Sequence, residues 1–232
     1  MKLIAHRGAS LQKQENSIES LTYAAQLGAY AVECDIRQTK DEEYVIFHDD
    51  NLKRLTGIDA EVSDVTFLEM KDYLARNGYK LLSFNDLAGN YKEKTPVLLH
   101  IKLPDINPDF VHMLKNSGLN IICGVQQPEA ARLCSSLFPR DRILAFMPSK
   151  DDYKEFAQNG AGIIRLWEYW LADIDISDVK AAYGRPEVWI MSCDEKGSMN
   201  GSETSLNYFK KIGADGVLLN DIVMAINWIK FQ

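Results

Sequence analysis

Residues 28–48 read GAYAVECDIRQTKDEEYVIFH, and this stretch decides the fold. Residues 31–36 form a short apolar run in which two acids stand at alternate positions, a pattern that predicts a strand. A second apolar run, residues 44–47, follows after a polar turn. That turn is too short for a parallel crossover, which needs about a dozen residues or more. We therefore predict that residues 44–47 return antiparallel to residues 31–36, as a hairpin near residues 36–48.

Seven further apolar runs alternate with amphipathic stretches along the rest of the chain. They are residues 3–5, 97–101, 121–125, 143–146, 162–166, 188–191 and 216–219. Helix starts are indicated by Asn107-Pro108 and Gln127-Pro128, with proline at a first helical position, and by Asn16 with Glu19, which resembles a capping box. Eight strands remain once the hairpin strand is set aside, and strands that alternate with helices favour a parallel sheet. We predict a (β/α)8 TIM barrel; a doubly wound open sheet is second, because no Gly-x-Gly-x-x-Gly follows the first strand.

Composition and charge exclude several classes of protein. No linker or low-complexity segment divides the 232 residues, so we predict a single domain over residues 1–232. The formal net charge of -7 excludes a generally basic nucleic-acid binder. No apolar run approaches the ~18 residues of a membrane span, and the N-terminus lacks the apolar region of a secretory signal. We expect a cytoplasmic protein, or a secreted one if a signal has been removed. Its four scattered cysteines indicate reduced thiols.

Polar residues inside the predicted barrel strands are the candidates for chemistry, because most such positions hold apolar packing residues. Glu33 and Asp35 share one face of their strand. Two carboxylates that face the same interior repel each other unless they share a cation or a proton. A hard divalent metal ion is one partner for the pair. A structural network with Arg7 or Lys102 is the alternative.

Three of the four histidines, His6, His48 and His100, stand at the ends of predicted strands. TIM barrels place their active sites at the C-terminal ends of the strands, so these three histidines are candidates for the site. The fourth, His112, lies in a helical stretch and is expected to be an ordinary helix residue. His100 and Lys102 share a strand face, so His100 can ligate a metal ion and Lys102 can hold an anion. The alternative for Lys102 is a rim position in water.

Four motifs now carry a family resemblance. His6-Arg7-Gly8, Glu15-Asn16-Ser17, Glu33-Cys34-Asp35 and His48-Asp49 resemble, in order and spacing, the His-Arg-Gly, Glu-Asn-Thr, Glu-x-Asp and His-Asp pattern of the glycerophosphodiester phosphodiesterase family. Weaker similarities at residues 82–87 and 213–217 extend the resemblance through essentially the whole chain. The resemblance implies a TIM barrel enzyme that hydrolyses small-molecule glycerophosphodiesters to glycerol 3-phosphate and an alcohol, with a divalent metal ion, Mg²⁺ or Ca²⁺.

The resemblance also implies roles for individual residues. His6 and His48 match the catalytic acid and base, Glu33 and Asp35 match metal ligands, and Arg7 and Lys102 match cations that contact the phosphate. Trp189 is similar to an aromatic residue that lines the site. Trp167, Tyr169 and Trp170 can add an apolar wall, with core packing as the alternative.

Three positions depart from the family pattern. Gln14 stands in place of a proline, Glu42 in place of a hairpin glycine, and His100 in place of the glutamate of Glu-x-Lys. His100 is then implied as a third metal ligand, and a neutral imidazole shifts the preference towards Mn²⁺ or Zn²⁺. Two rival functions remain. A metal amidohydrolase-type barrel would need His-x-His after the first strand, which His6-Arg7-Gly8 does not supply. A barrel disabled by His100 would bind phosphodiesters without cleaving them.

Overall fold

A closed ring of eight parallel strands forms the centre of the protein, whose structure, a computed structural model, describes residues 1–230. Residues 1–230 contain ten strands, eight in the ring and two, β3 and β4, outside it: β1 (Lys2–Ala5), β2 (Ala31–Gln38), β3 (Tyr44–Ile46), β4 (Leu82–Ser83), β5 (Val97–Ile101), β6 (Ile121–Val125), β7 (Ile143–Ala145), β8 (Ile163–Trp167), β9 (Glu187–Met191) and β10 (Gly216–Leu219). Around the ring they run β1, β2, β5, β6, β7, β8, β9, β10, and β10 pairs back onto β1. The predicted (β/α)8 TIM barrel is confirmed.

Helices cover the outside of this ring. They are α1 (Ile18–Leu27), α2 (Lys53–Thr56), α3 (Phe67–Ala75), α4 (Phe84–Asn90), α5 (Pro108–Asn116), α6 (Pro128–Cys134), α7 (Tyr153–Gln158), α8 (Ile176–Lys180), α9 (Glu203–Lys211) and α10 (Ile222–Lys230). None of the helices within residues 1–230 has both the length and the apolar character needed to cross a bilayer.

The starts of these helices were predicted with one error. Pro108 and Pro128 stand at the first turns of α5 and α6, as expected. Asn16 does not cap α1; the cap is Ser17, whose hydroxyl oxygen accepts a hydrogen bond from the Ser20 backbone N–H. Asn16 instead has a positive φ of 56°, and its side-chain amide donates a hydrogen bond to Asp35 of β2.

The segment between β2 and α5 interrupts the regular alternation. β3 pairs antiparallel with β2, with Ile46 opposite Ile36, so the predicted hairpin is confirmed. β4 adds a short antiparallel partner to β3 that the sequence did not indicate. This insertion has an apolar cluster of its own: Val45, Phe47, Leu52, Val62, Val65, Met70 and Leu74. Because the cluster anchors β3 from outside the ring, the residue that follows Phe47, His48, is held at the mouth of the barrel.

The interior of the ring changes character along its axis. Its first inward positions are apolar: Ile4, Ala31, Leu98, Ile122, Leu144, Ile163, Trp189 and Leu218. Two residues further along β2, β5 and β8, the same inward face carries Glu33, His100 and Arg165. The intervening residues of β2 point outward into the core between strands and helices. The predicted alternation therefore holds, and it delivers the charged side chains to the C-terminal end of the barrel.

Candidate active site

A cavity of about 400 Å³ opens at the C-terminal end of the barrel. Five residues selected from the sequence line it: His6, Arg7, His48, His100 and Lys102. Glu33 and Asp35 are fully buried directly against these residues. The fold thus brings together seven of the eight site residues that the sequence predicts; the exception is Trp189.

Glu33, Asp35 and His100 form a group that could hold a metal ion. One ligand atom from each lies within 4.8 Å of the others. His100 Nδ1 is 3.2 Å from Asp35 Oδ1 and 3.9 Å from Glu33 Oε1. Glu33 Oε1 is buried and has no hydrogen-bond partner, although buried oxygens nearly always have one. A cation between the three residues would satisfy this oxygen, so the donor set fits a metal ion.

The two buried acids differ in their tendency to ionise. Burial and the neighbouring Asp35 charge raise the pKa of Glu33 well above its ordinary value, although Arg7 opposes this shift. Burial also disfavours ionised Asp35, but its contacts with His100 and Lys102 hold its pKa well below the ordinary value. Without a cation, the pair therefore carries its negative charge mainly on Asp35.

Asn16 holds Asp35 in place. Its Nδ2 donates a hydrogen bond to Asp35 Oδ2 at 3.1 Å, and its Oδ1 accepts one from the Asp35 backbone N–H at 3.2 Å. Lys102 Nζ lies 3.0 Å from the other carboxylate oxygen. The sequence did not identify Asn16 as a site residue. Its place in the Glu15-Asn16-Ser17 motif was the signal that could have done so.

His6 and His48 are each held through Nδ1 by an oxygen of a neighbouring side chain. His6 Nδ1 lies 2.8 Å from Asn220 Oδ1, and His48 Nδ1 lies 2.7 Å from Asp49 Oδ1. Because an amide or carboxylate oxygen only accepts, each Nδ1 carries the hydrogen, and each neutral ring keeps a lone pair on Nε2. Burial, assisted by the Arg7 charge, lowers the pKa of His6 to about 3. Burial also lowers the pKa of His48, but the hydrogen bond to Asp49 favours its protonated form.

A chain of ion pairs connects the barrel mouth with the insertion. Arg7 Nη1 lies 3.1 Å from Glu15 Oε2, and Arg54 contacts both Glu15 and Asp49. Asp49 in turn holds His48. The network fixes the orientation of Arg7 and His48 relative to each other, although they come from distant parts of the sequence.

The His6-Arg7-Gly8 turn has a strained backbone that serves the acid pair. Arg7 has a φ of 58°, a conformation that costs energy for any residue with a Cβ, and its N–H donates to Glu33 Oε2 at 2.8 Å. Gly8 has a φ of 77°, and a Cβ there would lie 2.4 Å from Ser20 Oγ. The glycine is therefore required for this turn to pack against α1.

The sequence model of the glycerophosphoryl diester phosphodiesterase family matches residues 6–146, more than half of the chain. The chain belongs to this family. The matched range contains the predicted metal ligands and His6, His48, Arg7 and Lys102.

Curated relatives match over the front part of the chain. Lysophospholipase D GDPD1 of Homo sapiens is 39% identical over 75 residues, which are 32% of this chain and 24% of the relative. The glycerophosphodiester phosphodiesterase of Caldanaerobacter subterraneus is 41% identical over 69 residues, which are 30% of this chain and 28% of the relative. The matched segments thus span about a quarter of the length of these proteins.

Solved structures match over the whole fold. The glycerophosphodiester phosphodiesterase of Thermotoga maritima has a TM-score of 0.75 at 19% identity, covering 99% of this chain and 97% of that one. An Oleispira antarctica phosphodiesterase, solved with the product sn-glycerol-3-phosphate, has a TM-score of 0.65 at 18% identity, with 99% and 97% covered. At these identities the likeness establishes the shared barrel.

Trp189, which the family resemblance gives as an aromatic residue lining the site, does not line the cavity. It is fully buried and belongs to the apolar interior below the cavity, and its indole Nε1 donates to Glu187 Oε2 at 2.9 Å. On β9, the next inward position, Met191, reaches the cavity. Trp189 therefore lies one inward position too deep to line the site. Trp167 lines the cavity as an apolar wall instead.

The departures from the family pattern have structural consequences. Glu42 has a φ of 64°, which explains the family's preference for glycine at this hairpin position. His100 stacks on Phe146 with ring centroids 3.8 Å apart, and its Nε2 lies 3.1 Å from Gln126 Nε2. Gly124 leaves room for this stack, since a Cβ there would meet Phe146 Cε2 at 2.5 Å. Gln126 and Phe146 directly follow β6 and β7, two strands that carry no sequence motif, so sequence reasoning missed them.

Proposed function

We propose that the protein is a metal-dependent phosphodiesterase that hydrolyses glycerophosphodiesters to sn-glycerol 3-phosphate and an alcohol. One observation carries the proposal: the buried group of Glu33, Asp35 and His100 adjoins a cavity that is also lined by His6 and His48. Membership of the family supports it, and so does the product sn-glycerol-3-phosphate bound to the Oleispira antarctica protein of the same fold.

Glu33, Asp35 and His100 would hold the metal ion. The family resemblance favours Mg²⁺ or Ca²⁺, while an imidazole ligand shifts the preference towards Mn²⁺ or Zn²⁺. A divalent ion would supply positive charge for the buried acids and for the phosphate oxygens. To bind through Nδ1, His100 must carry its hydrogen on Nε2. Gln126 would then present its amide carbonyl oxygen to that hydrogen, as partners of metal-bound histidines commonly do.

Arg7 and Lys102 provide the remaining positive charge. Both line the cavity, and both lie within 4 Å of Asp35, with Lys102 Nζ also donating to the His48 backbone oxygen at 2.9 Å. A phosphodiester carries one negative charge that repels nucleophiles, and further charge develops on its oxygens in the transition state. Two cations fixed by the protein stabilise that charge without having to reorganise.

The histidines divide the proton transfers between them. His6, with the pKa of about 3, is neutral at all working pH values, so its Nε2 accepts the proton of the attacking hydroxyl as the new P–O bond forms. Burial lowers the pKa of His48, so its ring must first take up a proton; the hydrogen bond to Asp49 stabilises this protonated ring, which donates the proton to the alcohol oxygen as the old P–O bond breaks. The attacking hydroxyl is that of water, or that of the substrate's own glycerol, which gives a cyclic phosphate first.

The proposal is tested by assaying chelator-treated protein reloaded with Mg²⁺, Ca²⁺, Mn²⁺ or Zn²⁺. Release of glycerol 3-phosphate is measured from glycerophosphocholine, glycerophosphoethanolamine and glycerophosphoglycerol. We expect turnover, with kcat lowered roughly 10²–10⁴-fold in His6→Ala and in His48→Ala. His112→Ala is the matched control, because His112 lies exposed on α5 away from the cavity. No turnover of any substrate, or full activity in both cavity variants, contradicts the proposal.

A further inference from the structure

Arg165 is a buried cation that the proposed reaction does not use. It lies on the inward face of β8, lines the cavity and exposes only 4% of its surface. Its Nε and Nη1 are buried without a hydrogen-bond partner. Within residues 1–230, no carboxylate forms an ion pair with its guanidinium. Burial lowers its pKa to about 10, so it is still charged at neutral pH.

A buried and unpaired charge is costly, because the protein must strip its hydration without a counter-ion. Aromatic rings surround this one: the guanidinium carbon is 4.5 Å from the centre of the Trp167 ring, 5.3 Å from Phe146 and 5.6 Å from Trp170. Cation–π contacts recover only part of the lost hydration. They also leave the in-plane N–H groups of the guanidinium without acceptors, and these groups are the ones that bind anions in pairs.

Arg165 stands across the barrel from the acid pair. Three strands lie between β2 and β8 in either direction around the ring, so Arg165 stands on the wall opposite Glu33 and Asp35. The apolar side chains of Phe146, Trp167 and Met191 line the same cavity. A diester whose phosphate lay against the acid pair, where the proposed metal ion would be, would therefore extend one of its two alcohol groups towards Arg165.

We propose that Arg165 selects glycerophosphodiesters whose alcohol half carries an anionic group of its own, a carboxylate or a phosphate. This inference rests on the proposed function and names its substrate class. An aromatic enclosure usually recognises quaternary ammonium groups such as choline. Here the enclosure already holds a cation of the protein, so a cationic headgroup meets repulsion where an anionic one finds the missing partner.

The test measures binding without turnover, by titration calorimetry in a His48→Ala background. Glycerophosphoserine and glycerophosphoethanolamine differ by one carboxylate, and glycerophosphoinositol 4-phosphate and glycerophosphoinositol differ by one phosphate. The two pairs thus separate the two anionic groups. We expect at least one anionic ligand to bind more tightly than its matched partner, and Arg165→Met to reduce that preference roughly 10- to 100-fold.

Two further variants complete the test. Arg132→Met removes an exposed arginine of α6 and should leave the preference unchanged. Arg165→Lys keeps the charge but loses the planar pair of donors, so it should retain part of the preference. The melting temperature gives an independent readout. A buried arginine without a counter-ion destabilises the free protein, so Arg165→Met should raise the melting temperature without ligand by a few degrees.

Three results would overturn the inference: no preference for either anionic ligand, equal weakening of all four ligands by Arg165→Met, or a lower melting temperature with the preference intact. Equal weakening would place Arg165 on the reacting phosphate, and the lower melting temperature would make it structural. The failure of the proposed function looks different. In that case wild-type protein hydrolyses none of the ligands, whatever their binding shows.

Discussion

The inward faces of the barrel strands serve one purpose at the N-terminal end of the barrel and another at the C-terminal end. At the N-terminal end, Trp189 fills the ring and its indole N–H is paired with Glu187, which also holds Lys2 at 2.8 Å. At the C-terminal end, Glu33 Oε1 and the Nε and Nη1 atoms of Arg165 are buried without hydrogen-bond partners. The polar atoms at the N-terminal (lower) end find their partners within the protein. The unpaired ones at the C-terminal (upper) end would gain a partner only when a ligand or an ion binds. The difference indicates that stability and function are separated along the barrel axis.

The most severe test of this comparison is Glu33→Gln. The amide keeps the shape but loses the charge of a proposed metal ligand, so kcat should fall on the order of 10³-fold, equivalent to about 4 kcal/mol. Metal content, measured by elemental analysis, should fall with it. The stability of the metal-free protein should rise, because the substitution removes a carboxyl group whose ionised form is disfavoured by burial and by the Asp35 charge. A large loss of stability in the metal-free variant would contradict the separation of the two ends.

Trp189→Ala makes the converse change at the lower end. It removes a fully buried indole and should reduce the free energy of unfolding by about 3–5 kcal/mol, measured by urea denaturation. Turnover per folded molecule should stay near that of the wild type, because Trp189 does not reach the cavity. Trp189→Phe is the milder control and should lose less stability. Loss of turnover in a folded Trp189→Ala protein would return Trp189 to the site.

The pH dependence of stability should also arise from the upper end. In the metal-free protein, burial lowers the pKa of His6 from 6.5 to about 3, so the folded state binds fewer protons than the unfolded state between these values. The stability is then fully present above pH 6.5 and falls as the pH decreases, by about 2 kcal/mol at pH 5 from His6 alone. His6→Gln should flatten this part of the curve in urea titrations. An unchanged curve would show that His6 is hydrated.

The smallest expected effect belongs to Asn16→Ala. Asp35 loses a side-chain hydrogen bond donor and an acceptor for its backbone N–H, each worth about 1 kcal/mol, but keeps Lys102. We expect kcat/KM to fall about tenfold and metal affinity to weaken, measured by competition with a chelator. Asn16→Asp, which restores an acceptor but places a third acid beside Asp35, should weaken activity further by charge repulsion. Wild-type activity in both variants would show that Asp35 needs no support from Asn16.

The front of the chain was predictable because its signals are local. Alternation along β2 placed Glu33 and Asp35 on one face, and the short turn before residues 44–47 required the antiparallel hairpin. The motifs and the predicted strand ends identified His6, His48, His100 and Lys102, and the fold places all four at one cavity. Asn16 was misread because a helix cap and a polar anchor for a distant strand look the same in sequence.

The sequence by itself determined which residues face inward, because strand alternation and strand order follow from the nearest neighbours along the chain. Only the tertiary structure decided how deep each inward residue lies and what stands across from it. Trp189 lies below the cavity and Arg165 lacks a counter-ion because the ring closes β10 onto β1 and sets β8 opposite β2. How deep a residue lies and which residue it faces depend on how the eight strands close into a ring, so neither can be read from one strand alone.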